Sequence, residues 1–264
     1  MIKKKIQTYG YLIKELSVRE IYSKYKGSLL GIFWAVLTPL AMLFVFSFVF
    51  GEIFRAKWPG SESGSKAEFA INLYIGLSVF WFFADVLGKA PSLIVSVPNF
   101  VKKVVFPLEI LPVVSLLSAL FHLCINIVII TAAVLITKGG IPLSVVVLPI
   151  VMVVTFPLLA GAGLLFGALG VYARDIATVM GVVINMLMFL SPVFYPLSAI
   201  PQNLQWLFEL NPVTLIIESC RGAFMYGVYP EWGKLGVYLV CSLLVWFLGY
   251  KVFNATRGGF GDVI

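Results

Sequence analysis

Apolar residues occupy this chain in long blocks separated by short polar punctuation. The blocks run from about Leu29 to Phe50, Phe69 to Val95, Ile110 to Ile136, Ile141 to Tyr172, Ile176 to Leu190 and Leu235 to Tyr250. Continuous apolar runs predict transmembrane α-helices, because the strands of a membrane barrel would show short alternating segments instead. The first block carries no charge, and Thr38-Pro39 predicts a kink in it. The fourth is long enough to tilt, or to bend at Pro149 and Pro157. Its small residues Ala160, Gly163, Gly167 and Gly170 form a stripe that admits a second helix at close range. The pattern predicts one all-α polytopic membrane domain over residues 1–264, with spans one to five within 29–190 and a sixth within 233–252.

Two segments depart from this plan. Residues 1–27 open with Lys3-Lys4-Lys5, and then Tyr9, Leu12, Ile13, Leu16, Val18, Ile21, Tyr22 and Tyr25 recur at roughly helical spacing. Lys14, Glu15, Arg19, Ser23 and Lys26 fall on the other side, which predicts a basic amphipathic helix. Such a helix suits the headgroup plane or the surface of a partner. The second departure is residues 191–230. Pro192, Pro196, Pro201 and Pro212 each remove a backbone donor and clash with the preceding helical turn. Between them lie only the short runs Leu204–Leu210 and Val213–Cys220, too short to cross ~30 Å of hydrocarbon. This predicts a re-entrant helical hairpin before the last span, an element whose usual role is to plug or gate a pathway. The alternative is an amphipathic linker lying on the membrane surface. Its charges are Glu209, Glu218 and Arg221, and the last two sit i,i+3 on one face, within pairing distance.

The composition agrees with the pattern. Of 264 residues, 61% are hydrophobic and 12% charged, and the mean hydropathy of +1.02 excludes a soluble domain. The net charge of +7 lies beside apolar runs, so anionic lipid headgroups are its expected partner and nucleic acid is not. Cys124, Cys220 and Cys241 stand alone in apolar sequence and are expected to be small buried hydrophobes. No cleavable signal peptide is expected, and the first apolar run reads as a retained span. Six spans place both termini on one side. Lys3, Lys4, Lys5, Lys14, Arg19, Lys24, Lys26, Lys102, Lys103, Arg174, Lys251 and Arg257 then share that face, against Arg55, Lys57, Lys66, Lys138 and Lys234 opposite. The basic excess makes the first face cytoplasmic, with residues 253–264 as a polar cytoplasmic tail.

Chemistry-bearing groups are few. Asp85 and Lys89 lie i,i+4 in the acid-first order of a helical ion pair, read either as a functional pair or as a local structural one. His122 is alone in mid-span and reads as a packed polar residue. No phosphate-binding glycine loop and no H-E-x-x-H occur, so no catalytic residue and no metal site are expected. A pump of this design takes its energy from another polypeptide. The short connections Asn99–Glu109 and Arg174-Asp175 are the docking points such a partner would have, although both also read as plain turn and cap residues.

In chain order the sequence carries G-S-L-L-G-x-x-W-A-x-L-x-P-L, V-K-K-V-V-F-P-L-E-I-L-P, Y-A-R-D-I, S-P-V-F-Y-P-L-S-A-I-P, N-P-V-T-x-x-I-E-S-C-R-G and a terminal F-G-D-V-I. Over essentially its whole length this resembles the transmembrane subunit of the ABC-2-type polysaccharide exporters, which include O-antigen, teichoic acid and capsule permeases. The resemblance implies a homodimer in the bacterial inner membrane, both termini cytoplasmic, with two copies of an ATPase subunit that hold the ATP and Mg. This chain itself would hold no cofactor. The cargo would be a polyprenyl-diphosphate-linked polysaccharide. The resemblance further implies ATPase coupling through Asn99, Lys102, Lys103, Glu109, Arg174 and Asp175. Leu204–Arg221 would form a periplasmic gate containing Glu209, Asn211, Pro212, Glu218 and Arg221. Phe33, Trp34, Phe189, Phe194 and Tyr195 are the candidate channel-lining aromatics. The alternatives are an ABC-2 permease for a drug or small lipid, and a membrane-embedded transferase acting on a polyprenyl-linked sugar.

Overall fold

The computed structural model describes residues 2–53, 58, 65–102 and 106–264, with side chains from Tyr9 onward. The expectations for Arg55, Lys57 and Lys103 therefore lie outside the described residues, and those for Lys3, Lys4 and Lys5 concern side chains outside the description. Among those described, every regular element is helical, as the sequence predicts.

An amphipathic helix α1 (Ile2–Ser23) leads to α2 (Trp34–Phe46), which continues as a π-helical stretch to Ile53. Pro39 is accommodated inside α2, and the irregular backbone falls at the far end of the span. The long helix α3 (Lys66–Lys89) starts with a Ser65 side chain accepting the Glu68 amide, a standard N-cap. A short α4 (Pro98–Lys102) precedes α5 (Leu111–Lys138), whose end is turned by Gly139 in the left-handed conformation. The fourth span divides into α6 (Leu148–Val153) and α7 (Phe156–Tyr172). Pro149 and Pro157 each occupy the first turn of their half, where a missing N–H costs nothing.

Among the described residues, five stretches are long and apolar enough to cross a membrane: Gly31–Ile53, Lys66–Ser92, Leu108–Lys138, Leu143–Tyr172 and Trp232–Val263. The expected span 176–190 forms as a shorter apolar helix, α8 (Ile176–Phe189), of 14 residues, which runs from the end of α7 to the hairpin. That is about 21 Å of rise, less than the hydrocarbon thickness. Its end follows from Ser191-Pro192, which cannot continue the helix. The hairpin then forms as α9 (Gln202–Glu209) and α10 (Pro212–Arg221), and the last span is α11 (Trp232–Thr256).

The polar tail is a correction too. Helix α11 runs on to Thr256, and a further turn, α12 (Phe260–Val263), folds back. Phe260 is fully buried beside Phe253 in a small second core with Ile94, Leu108, Leu111, Leu164 and Val171. Read as a linear stretch, the segment is dominated by its polar residues; its two phenylalanines, seven apart, fall on one side of the folded chain and find an apolar seat.

Helix α3 is the centre of the main core and is buried almost all round, whereas α2 is almost wholly exposed on the single chain. The small-residue stripe of α7 is used on two faces. Gly163 receives Pro112, and Gly167 and Gly170 receive the backbone of Ala90 and Pro91 at the end of α3. Gly161, outside the predicted stripe, lets the backbone of α7 touch that of α11 near Trp246 and Gly249. Two of the three cysteines, Cys124 and Cys241, are exposed rather than buried. In a membrane protein an apolar position need not face the core, since lipid solvates it equally well.

The contacts fix which ends lie together. The end of α3, the start of α5, the end of α7, α1 and the C-terminal turns form one end of the bundle. The start of α3, the end of α5, the end of α8, the hairpin and the start of α11 form the other.

Candidate functional site

The hairpin is held by the two ends of α10. At its start, Asn211 is in extended conformation and its Oδ1 accepts the Val213 amide at 2.9 Å, with Pro212 at the first helical position. This is the Asn-Pro start that an isolated helix prefers, because it caps one orphan amide and removes another. The other face of the same amide reaches back: Nδ2 donates to the carbonyl of Leu190 at 3.0 Å and to Ser191 Oγ at 2.8 Å.

At the other end of α10, Arg221 is 2% exposed. Its Nη1 donates to the carbonyl of Pro192 at 2.5 Å and to Glu218 Oε1 at 2.9 Å. Its Nη2 donates to the carbonyl of Val193 at 2.7 Å, and its Nε to the carbonyl of Asn72 on α3 at 3.1 Å. The Trp58 ring lies 4.5 Å from the guanidinium carbon. Gly76 makes the room, since a Cβ there would sit 2.7 Å from Nη2. The chain from Leu190 to Val193 has left the helix and its carbonyls lack helical donors. Irregular backbone in a membrane domain persists only where protein supplies the missing partners, and a rigid five-donor fork does so for the carbonyls of Pro192 and Val193 while also reaching that of Asn72 on α3. The expected Glu218–Arg221 pair is thus one contact of a larger clamp joining α10, the break after α8, and α3.

Helix α9 differs. None of its residues is buried; Leu210 beside it is 72% exposed and Trp206 59%, and Glu209 is exposed. Its ties are Gln205 Nε2 donating to Ile200 at 2.9 Å and the Phe208 ring edge-on to Tyr195 at 6.2 Å.

The five candidate channel aromatics divide into two groups. Phe189, Phe194 and Tyr195 come together at the hairpin end, with the Phe189 and Phe194 rings 6.3 Å apart and the Tyr195 hydroxyl donating to the Phe189 carbonyl. Phe33 and Trp34 lie at the opposite end, where Phe33 is exposed and Trp34 borders a cleft of about 530 Å³.

That cleft carries a polar cluster. Lys89 pairs with Glu20 of α1 at 2.8 Å and with Asp85 at 3.3 Å, and Lys24 reaches Asp85 at 3.2 Å. The Asp85–Lys89 pair is therefore neither isolated nor merely local; it docks the amphipathic helix onto α3. His122 also has partners. Its Nδ1 lies 2.9 Å from the Ser118 carbonyl, which can only accept, so Nδ1 carries a hydrogen. Its Nε2 lies 2.8 Å from the Tyr25 hydroxyl. Burial, and then the nearby Asp85 charge, push the Tyr25 phenol up from its usual value, so that phenol stays protonated and donates to Nε2.

The residues expected to couple to an ATPase are placed unequally. Asn99, Lys102, Arg174 and Asp175 are exposed at the α1 end. Glu109 instead turns inward, 3.7 Å from Arg257 of the C-terminal turn. Among the described residues no cluster of three or more His, Cys, Asp or Glu is placed to hold a metal ion.

Sequence reasoning missed Asn72, Gly76 and Trp58 of the clamp, and Glu20, Lys24 and Tyr25 of the cluster as a docking set. Asn72 offered no signal, because it joins the clamp through its backbone carbonyl, which any residue would supply. The others are ordinary residues until tertiary contact brings them to a charge.

Residues 11–225 match the family model described as ABC-2 type transporter. The chain is 23% identical to the O-antigen export system permease protein RfbA of Klebsiella pneumoniae, over 97% of this chain and 96% of that one. It is 22% identical to the protein of the same name from Myxococcus xanthus, over 99% and 98%. With the polysialic acid transport protein KpsM of Escherichia coli the identity is 25%, over 92% of each chain. Helices long and apolar enough to cross a membrane accord with the match, and a family match over most of its length establishes that this chain belongs to the ABC-2 type transporter family.

Proposed function

We propose that this protein is the permease subunit of an ATP-driven exporter of a lipid-linked surface polysaccharide, with O-antigen as the first cargo and teichoic acid or capsule polymer as the others. The observation that carries the reading is its end-to-end similarity to permeases named for O-antigen export and polysialic acid transport. Two copies form the pathway across a bacterial inner membrane, with α1 and the C-terminal turns in the cytoplasm. ATP and Mg belong to two copies of a separate ATPase subunit, docked on Asn99, Lys102 and the Arg174-Asp175 turn; Lys103 completes that set in the sequence. The hairpin gates the outer end, with α9 as its moving part and the Arg221 clamp as its fixed part. Phe33, Trp34, Phe189, Phe194 and Tyr195 offer ring faces to sugar C–H groups, which permits sliding because no hydrogen-bond register has to be broken.

The test is co-purification with a candidate ATPase subunit, followed by ATPase assays of Lys102→Glu and Arg174→Glu. Loss of the complex or of coupled turnover, with the permease still folded, is the expected result. A protein that purifies alone and moves or modifies a substrate without any ATPase would falsify the reading.

A further inference from the structure

The two connections proposed to dock an ATPase, Asn99–Glu109 and Arg174-Asp175, are far apart in sequence, and the C-terminal turns are fastened to both. On the first side, α12 packs against α4. Its Phe260 is fully buried in the small second core, against which Val97, Phe100, Val101 and Phe106 also pack. The Phe100 and Phe106 rings stack with centroids 4.5 Å apart, which joins the two halves of that connection. Arg257 adds an ion pair to Glu109 at 3.7 Å. The Glu109 oxygen that it faces is buried and has no hydrogen-bond partner among the described residues, which leaves the arginine as its polar contact.

On the second side the anchor is Tyr172, two residues before Arg174. Its hydroxyl donates to the Thr256 carbonyl at 2.8 Å, and its ring lies 6.1 Å from that of Phe260. Gly259 makes this approach possible, since a Cβ there would sit 2.6 Å from the Tyr172 hydroxyl oxygen. The Phe253 ring, edge-on to Phe260 at 5.6 Å, ties the same residue to α11. A chain terminus is ordinarily loose unless something fastens it. Here one buried ring is shared by α11, the end of α7 and the α4 connection.

We infer that the C-terminal turns are a bracket that holds the two docking connections as one rigid platform, with Phe260 and Tyr172 as its positioning residues. The inference rests on the reading of those connections as the ATPase dock. A partner gripping two independent loops has to order both on binding, whereas a platform already fixed by folding spares it that loss. The bracket acts by holding and not by touching the ATPase, because Phe260 has no surface to offer a partner.

The test reads the permease alone and then its complex. In hydrogen exchange of the purified permease, Phe260→Ala should speed exchange in Val97–Lys102 and in Tyr172–Asp175 together, while α10 stays protected. Titration with a candidate ATPase subunit should then show binding weakened about tenfold, the equivalent of ordering about one further residue. Phe260→Leu keeps the core filled and should restore most of the affinity. Asp262→Asn alters only the exposed surface of the tail and should leave the affinity unchanged. Tyr172→Phe removes a single hydrogen bond, and should move exchange and affinity in the same direction as Phe260→Ala but less far. Lys102→Glu and Arg174→Glu are titrated beside these. If neither weakens binding, the docking reading falls and the bracket falls with it. If they do weaken it, three results overturn the bracket alone: unchanged affinity in Phe260→Ala, loosening of only one connection, or an equal loss in Asp262→Asn.

Discussion

Replacing Arg221 by methionine keeps much of the side-chain volume and removes every donor. The carbonyls of Pro192, Val193 and Asn72 then lose their partner, and Glu218 loses its counter-charge. Hydrogen bonds to a charged group are worth about 1.5–3 kcal/mol each, but they share one fork and do not add. Glu218 is 36% exposed and loses little, whereas each buried carbonyl left without a donor costs about 1–3 kcal/mol, so about 4 kcal/mol is expected. For a chain of this size that is a fall of roughly 8–15 °C in melting temperature, read by unfolding in detergent micelles. Arg221→Lys keeps the charge but lacks the planar fork, and should lose about half as much. Gly76→Ala adds a methyl 2.7 Å from Nη2 and 3.1 Å from the Val193 carbonyl, and overpacking of this kind costs about 1–3 kcal/mol. If that methyl acts by displacing the guanidinium, its cost should shrink to less than about half in the Arg221→Met background. A methionine variant that melts within about 2 °C of the parent, or full additivity with Gly76→Ala, would show that the clamp does not hold the hairpin.

The remaining contacts give sharper contrasts. Gly161→Leu drives a side chain into the backbone of α11 and should prevent α7 and α11 from packing, seen as loss of a monodisperse peak on size exclusion. Glu20→Lys should loosen α1, with Lys89→Glu in the same chain restoring it; partly exposed pairs are worth about 0.2–1 kcal/mol, so limited proteolysis after α1 is the suitable readout. Phe260→Ala empties a fully buried position and should cost about 3–5 kcal/mol locally, visible as new protease sensitivity of the last residues. Tyr25→Phe removes the donor to His122 Nε2 and leaves the ion pairs intact, so the imidazole resonances should shift while α1 stays docked.

Much of the fold was legible because membrane helices are written in runs of apolar residues, which survive without knowledge of contacts. The hairpin was legible for the opposite reason: its prolines and the Asn211-Pro212 pair act locally, through backbone geometry. What could not be read depends on partners distant in sequence. Nothing in Gly76 announces that a guanidinium needs its missing Cβ, and nothing in Glu20 names Lys89 as its partner. Phe260 was read as tail because eight polar or small residues, 254–259 and 261–262, surround it. Cys124 and Cys241 were placed inside because the rule that buries cysteine was learned in water. Helix α8 was read as a full span because Ile176–Leu190 is apolar throughout, although its length falls short of the hydrocarbon.

Helix α3 touches both polar centres. Asn72 and Gly76 sit under the arginine at one end, and Asp85 and Lys89 hold α1 at the other. The eighteen residues from Asn72 to Lys89 make about 26 Å of unbroken helix, packed on most sides and free of proline. It is in effect a push-rod: an axial shift imposed on α1 arrives beneath the hairpin without having to bend through any lipid-facing helix.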